Sequence, residues 1–145
     1  MPDWQHLTVG VFIALLVAVI TGDLFIQRTH MLRHPKRYLY FFFYYLPTFL
    51  WEMAKANVDV AYRVLHPKLP INPGIVKVKT SLKSDTALTF LANSITLTPG
   101  TLSVDIDRDN GFLYVHWIDV KAKDIEKATE IVVERFEKIL KEIFD

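Results

Sequence analysis

Residues 86–104 read TALTFLANSITLTPGTLSV, nineteen positions without a charged side chain. Charge-free runs of this length come from membrane spans, buried cores, or surfaces covered by another polypeptide. A span would have to carry seven Ser and Thr hydroxyls, Asn93 and the Pro99-Gly100 break, and hydrocarbon offers none of these groups a partner. Ser84 before Asp85 supplies an N-cap and Pro99-Gly100 a stop, so the pattern predicts a helix from about Asp85 to Leu97. On that helix Leu88, Leu91, Ala92 and Ile95 make an apolar stripe, while Thr86, Thr89, Asn93 and Thr96 make an uncharged polar one. A solvated helix normally shows Lys or Glu outside; small hydroxyls and an amide let a second backbone come close and still pair its polar groups. Two readings stay open at this level: a helix enclosed within its own domain, or a contact surface for a partner or the membrane face.

The flanking segments read as a small α+β unit. INPGIVKVKT holds a turn at Asn72-Pro73-Gly74 and then a short strand over Ile75, Val76 and Val78, whose lysines suit a sheet edge. Thr101 to Asp107 alternates, with Leu102, Val104 and Ile106 on one face. Asn110-Gly111 signals a two-residue hairpin turn, and Phe112 to Ile118 forms the return strand. That register sets Ile106 opposite Val115, Val104 opposite Trp117, and Asp105 opposite His116. An Asp–His pair admits a proton-relay role, but no Ser, Cys or metal-ligand spacing joins it, and a surface or interface pair fits better. Asp124 to Phe144 is a helix whose apolar stripe is Ile125, Ala128, Val132, Phe136, Ile139 and Ile143. The expected order is β-α-β-β-α, an incomplete ferredoxin-like unit.

Upstream, Leu7 to Ile26 is twenty residues with one charge, Asp23, and as a helix it spans about 30 Å, the depth of a hydrocarbon core. No Lys or Arg precedes it and no small-x-small site follows, so a retained anchor fits better than a cleaved leader. A basic loop, RTHMLRHPKR, leads to an aromatic run from Tyr40 to Tyr45 and on to a long helix over residues 38–65, kinked or loosened at Pro47 and stopped by His66-Pro67. Glu52, Lys55, Asp59 and Arg63 share one polar stripe of that helix. Four Lys/Arg in the 28–37 loop against Lys55, Arg63 and Lys68 beyond the second segment leave the orientation undecided.

These pieces define a membrane-anchored α+β protein. Residues 1–66 are expected to form a two-helix, multi-pass membrane anchor, with a span at 7–26 and a second helix at 38–65 that begins in lipid and ends in the interface or in water, and residues 67–145 the soluble β-α-β-β-α domain. A net charge of +1 offers no field for nucleic acid. The absence of Cys excludes disulfides, thiolate nucleophiles and Cys-held metals. His6, His30, His34, His66 and His116 show no ligand spacing, and no Gly-rich phosphate loop is present, so neither metal nor cofactor is expected. No residue pattern supports catalysis by this chain.

The chain resembles the E subunit of Mrp-type sodium–proton antiporters. The resemblance rests on Ala56, Asn57, Val58, Val60, Val64, Leu65 and Pro67, on NPGI (Asn72–Ile75), on Lys83-Ser84-Asp85, on LANSITLTPGT (Leu91–Thr101) and on LYVHWID (Leu113–Asp119). It covers residues 38–145, and the first span only in character. It implies an accessory subunit in a cell-membrane complex related to respiratory complex I, with ions moving through larger subunits and the soluble domain in the cytoplasm. The same module occurs in archaeal membrane-bound hydrogenases and sulfur-reducing complexes, which the resemblance does not separate from antiporters. Many family members carry more apolar sequence before the long helix than this chain does. The partners so implied are other membrane subunits and the bilayer. The candidate interface residues are Thr86, Thr89, Asn93, Thr96, Asp105 and His116. A free-standing membrane adaptor is the rival from another class, and a tethered enzyme using Asp105–His116 is a second.

Overall fold

The structure, a computed structural model, describes residues 4–25 and 35–145. The chain packs as two units, Met1–His34 and Pro35–Asp145. In the first, α1 (Trp4–Phe25) contains one stretch, Trp4–Thr21, long and apolar enough to cross a membrane. Among the described residues it is the one helix that meets that test. Ile26, the expected end of the span, and positions 28–34 of the basic loop lie outside the described residues.

The second unit is built on a three-stranded antiparallel sheet of order β1-β3-β2, with β1 at Gly74–Lys79, β2 at Thr101–Asp107 and β3 at Phe112–Trp117. The lysine-bearing β1 is an edge, as its composition suggests. Val76 and Val78 of β1 and Leu113, Val115 and Trp117 of β3 turn inward. They meet Leu88, Leu91 and Ile95 of α4 (Asp85–Leu97), together with Phe136, Leu140 and Ile143 of α6 (Glu134–Phe144). Ser84 Oγ accepts from the Ala87 amide at 3.1 Å and starts α4 where the sequence places it. The carboxylate of Asp145 accepts from the Lys83 and Ser84 amides at 3.0 and 3.1 Å, joining the end of α6 to the start of α4.

The last helix is two helices. α5 (Ile125–Val132) and α6 meet at Val133, which is fully buried beside Val132. A straight helix turns neighbouring side chains about 100° apart; the bend lets both valines reach the core. The interior therefore takes Val133 and Leu140 in addition to the expected stripe, whereas Ile125 stays exposed.

The anchor boundary expected at residue 66 is not where packing divides. α2 (Pro35–Tyr40), a five-residue π turn (Phe41–Tyr45) and α3 (Leu46–Leu65) all belong to the sheet's unit. Pro47 has no N–H and crowds the carbonyl four residues back, so the backbone widens in the turn just before it. That turn points Tyr45 into the core. Because Ser94 Oγ donates to Phe90 O at 2.6 Å, its lone pair is left for the Tyr45 hydroxyl at 2.8 Å. Phe41 packs edge-on to Phe90, and Phe49 lies tilted against Phe136. Two of the six residues of the aromatic run, Phe41 and Tyr45, thus belong to a protein core, which its composition alone does not reveal.

Candidate subunit-interface surfaces

α4 buries Ala87, Leu88, Leu91, Ser94 and Ile95 and leaves Thr86, Thr89, Asn93 and Thr96 exposed on the other side. Within this chain the helix is therefore not enclosed. Two of the four side chains are partly committed: Thr89 Oγ1 donates to Asp85 O at 2.7 Å, and Thr96 Oγ1 accepts from the Ser103 amide at 3.2 Å. Thr86 and Asn93 make no side-chain hydrogen bond among the described residues. The face is short-limbed, neutral and still rich in donors and acceptors, which is what close helix packing requires.

The Asp105–His116 pair does not form. Asp105 lies opposite Tyr114, and His116 lies opposite Leu102 on one side and Ile75 on the other. Two local causes combine. The hairpin loop is longer than Asn110-Gly111, because the Asp107 carboxylate accepts from the Asn110 amide at 3.2 Å and from its side chain at 2.9 Å, ending β2 early. Gly111 then closes the loop at φ +68°. A bulge between Ser103 and Asp105 next shifts the register, so residues on either side of it change face. The apolar face expected of Leu102, Val104 and Ile106 is broken: all three are exposed, while Thr101 and Ser103 align with the inward residues Trp117 and Val115. Asp105 caps the amide of its neighbour Ile106 at 2.8 Å.

A charged cleft that sequence spacing did not disclose lies where α3 meets the sheet unit. Its volume is about 370 Å³, and its walls include Glu52, Asp59, Thr98, Thr101, Trp117 and Arg135. The polar stripe of α3 faces this way. Glu52 is buried and pairs with Arg135 of α6 and with Lys55 at 3.0 Å. Arg63, also buried, grips Asp59 through Nε and Nη2 at 2.8 and 3.1 Å, reaches Asp119 at 3.0 Å and donates to Pro70 O at 2.5 Å. Hydrogen bonding from Arg63 holds the Asp59 carboxyl below the usual range, and the Asp59 hydrogen bond in turn raises Arg63. Every named acid is matched to a base, and the pairs form an electrostatic clasp between α3 and the rest of its unit.

Comparison with known proteins now bears on what these surfaces serve. The sequence profile described as Na+/H+ ion antiporter subunit matches residues 1–143. The chain belongs to the family of Na+/H+ antiporter E subunits. Within the family, the E subunit of Alkalihalophilus pseudofirmus is 47% identical over 95 residues, covering 66% of this chain and 59% of that protein. The E1 subunit of Staphylococcus saprophyticus is 31% identical over 141 residues, 97% of this chain and 84% of that protein. The match to the first of these relatives thus spans 59% of its length. Among solved structures, a chain of the membrane-bound sulfane sulfur reductase, an archaeal respiratory membrane complex, superimposes with a TM-score of 0.81 at 51% identity, covering 98% of this chain and 86% of that one. A chain of the Mrp complex from a Dietzia species gives 0.50 at 25% identity, covering 70% and 94%.

Proposed function

We propose that this chain is an accessory, structural subunit of a multisubunit cell-membrane complex containing an Mrp-type cation/proton antiporter module. Its sheet unit stands on the cytoplasmic side and holds neighbouring membrane subunits in register. The observation carrying this reading is the exposed, uncharged outer face of α4 at Thr86, Thr89, Asn93 and Thr96. The chain contributes no catalytic group of its own in this reading, in keeping with the separation of Asp105 from His116.

A specific observation favours one setting for the same role. The sulfane sulfur reductase chain matches nearly the whole sequence at 51% identity, while the antiporter E subunit of Alkalihalophilus pseudofirmus reaches 47% over 95 residues; the longer match supports assembly into a sulfur-reducing respiratory complex. Mild-detergent purification tests both levels. Co-purifying multi-span subunits support the accessory role, and their identity separates antiporter from reductase; a lone monomer supports the adaptor instead. Replacing Thr89 and Asn93 together by Lys should leave the thermal unfolding of the chain in place and abolish co-purification. Retention of the full complement of subunits by that variant overturns the assignment of α4 as the contact.

A further inference from the structure

α3 is turned inside out relative to a helix of a water-soluble domain. Two of its four ionised side chains, Glu52 and Arg63, face the protein and are buried, with Lys55 and Asp59 at their margin, whereas its opposite side is apolar and open. Pro47, Leu50, Trp51, Ala54, Val58, Ala61 and Leu65 fall within an arc of about 100° at the helical repeat, and they carry no charged residue among them. The exposures are large: Trp51 70%, Val58 71% and Leu65 82%. Phe42 and Phe43 of the π turn and Leu39 of α2 extend the surface in the other direction. A contiguous apolar strip along a helix of twenty residues, about 30 Å long, is far more than an isolated soluble domain leaves to water.

We propose that the outward face of α2, the π turn and α3 lies flat on the membrane, inserted shallowly at the boundary of headgroups and acyl chains. The segment then rests on the bilayer and does not cross it. Three observations select lipid as the occupant. First, the strip is dominated by large aromatic and aliphatic side chains, the opposite of the small-residue face of α4; close helix–helix contact uses small residues, while interfacial helices present Trp, Phe and Leu. Second, exposed Lys36 and Lys68 stand at the two ends and exposed Lys55 on the flank, where ammonium groups meet anionic headgroups. Third, the strip belongs to a chain that also carries α1, the candidate span, nine residues earlier in the sequence. A crossing orientation is disfavoured by the clasp itself, because Glu52, Arg135, Arg63 and Asp119 would accompany α3 into hydrocarbon. The proposal rests on the chain being membrane-bound and not on which subunits it joins.

The natural absence of Cys makes the test direct. Leu50→Cys, Val58→Cys and Leu65→Cys, each carrying a nitroxide, are introduced singly into the full chain within its complex in native membrane vesicles. Lys138→Cys, on an exposed position of α6, serves as the aqueous control. Accessibility to oxygen and to a water-soluble nickel chelate is then measured by power saturation. The three strip positions should be open to oxygen and closed to nickel, at one common depth about 5–10 Å below the headgroups. A crossing helix would instead separate Leu50 from Leu65 by about 22 Å in depth, which overturns the proposal. Nickel access at all three positions overturns it in favour of water, and shielding from both reagents overturns it in favour of a covering polypeptide. Loss of co-purifying subunits with the depths unchanged would remove the accessory reading and leave this one standing.

Discussion

The clasp between α3 and α6 makes an unequal pair of mutational costs, and the inequality is the sharper prediction. Glu52 and Arg135 are separated by 83 residues and joined by a charge-assisted hydrogen bond. The Glu52 side chain is 11% exposed and that of Arg135 31%. Removing one member of a fully buried pair costs about 3–5 kcal/mol, and an exposed pair is worth about 0–1; this one lies between. Arg135→Ala strands a nearly enclosed carboxylate whose other partner, Lys55, is mostly in solvent, so a cost of about 3 kcal/mol is expected, close to the full penalty for a buried unpaired charge. Glu52→Ala leaves a guanidinium that can still turn to water, and about 1.5 kcal/mol is expected for the lost charged hydrogen bond. The double variant should cost less than the sum, with a coupling of about 1–2 kcal/mol. Thermal unfolding of the full chain in nanodiscs reads these values as shifts of roughly 4–8 °C per kcal/mol for a unit of about this size. Additive single effects, or Glu52→Ala costing more than Arg135→Ala, would refute the idea that this pair docks the helix.

Two further outcomes follow from local geometry. The folded Asp59 carboxyl titrates below its ordinary value of 3.8 because of Arg63, so its contribution to stability is fully present above that value and is lost as pH falls through the lower folded one; unfolding midpoints below about pH 4 should fall less steeply for Asp59→Asn than for the parent. Gly111→Ala meets both a positive φ and the Thr80 carbonyl, 3.0 Å from the position of an added Cβ, and should destabilise by about 1–3 kcal/mol; an unchanged midpoint in denaturant would mean that the loop adopts another conformation.

What could be read from the chain before its structure divides along a physical line. Signals carried within a few residues were legible: the Ser84 cap and Pro99-Gly100 stop delimit α4, and His66-Pro67 ends α3. Signals that depend on a distant partner were not. The stripe of Glu52, Lys55, Asp59 and Arg63 has the same spacing whether it faces water or Arg135 and Asp119, so periodicity identifies the helix and says nothing of its orientation. The hairpin went astray for a related reason: Asn110-Gly111 favours a tight turn, but Asp107 competes for the Asn110 amide, and the bulge beyond it follows no sequence rule. The uncharged face of α4 was visible as a pattern, while the burial of Tyr45 against Ser94 showed only once the second helix was found packed on the domain.

The bond from the Asp145 carboxylate to the Lys83 and Ser84 amides carries a consequence for biogenesis. The opening turn of α4 is finished by a residue synthesised some sixty positions later, so while the chain is still emerging from a ribosome its docking helix lacks that stitch. The N-terminal end of α4 is therefore settled only once the far end of α6 has folded against it.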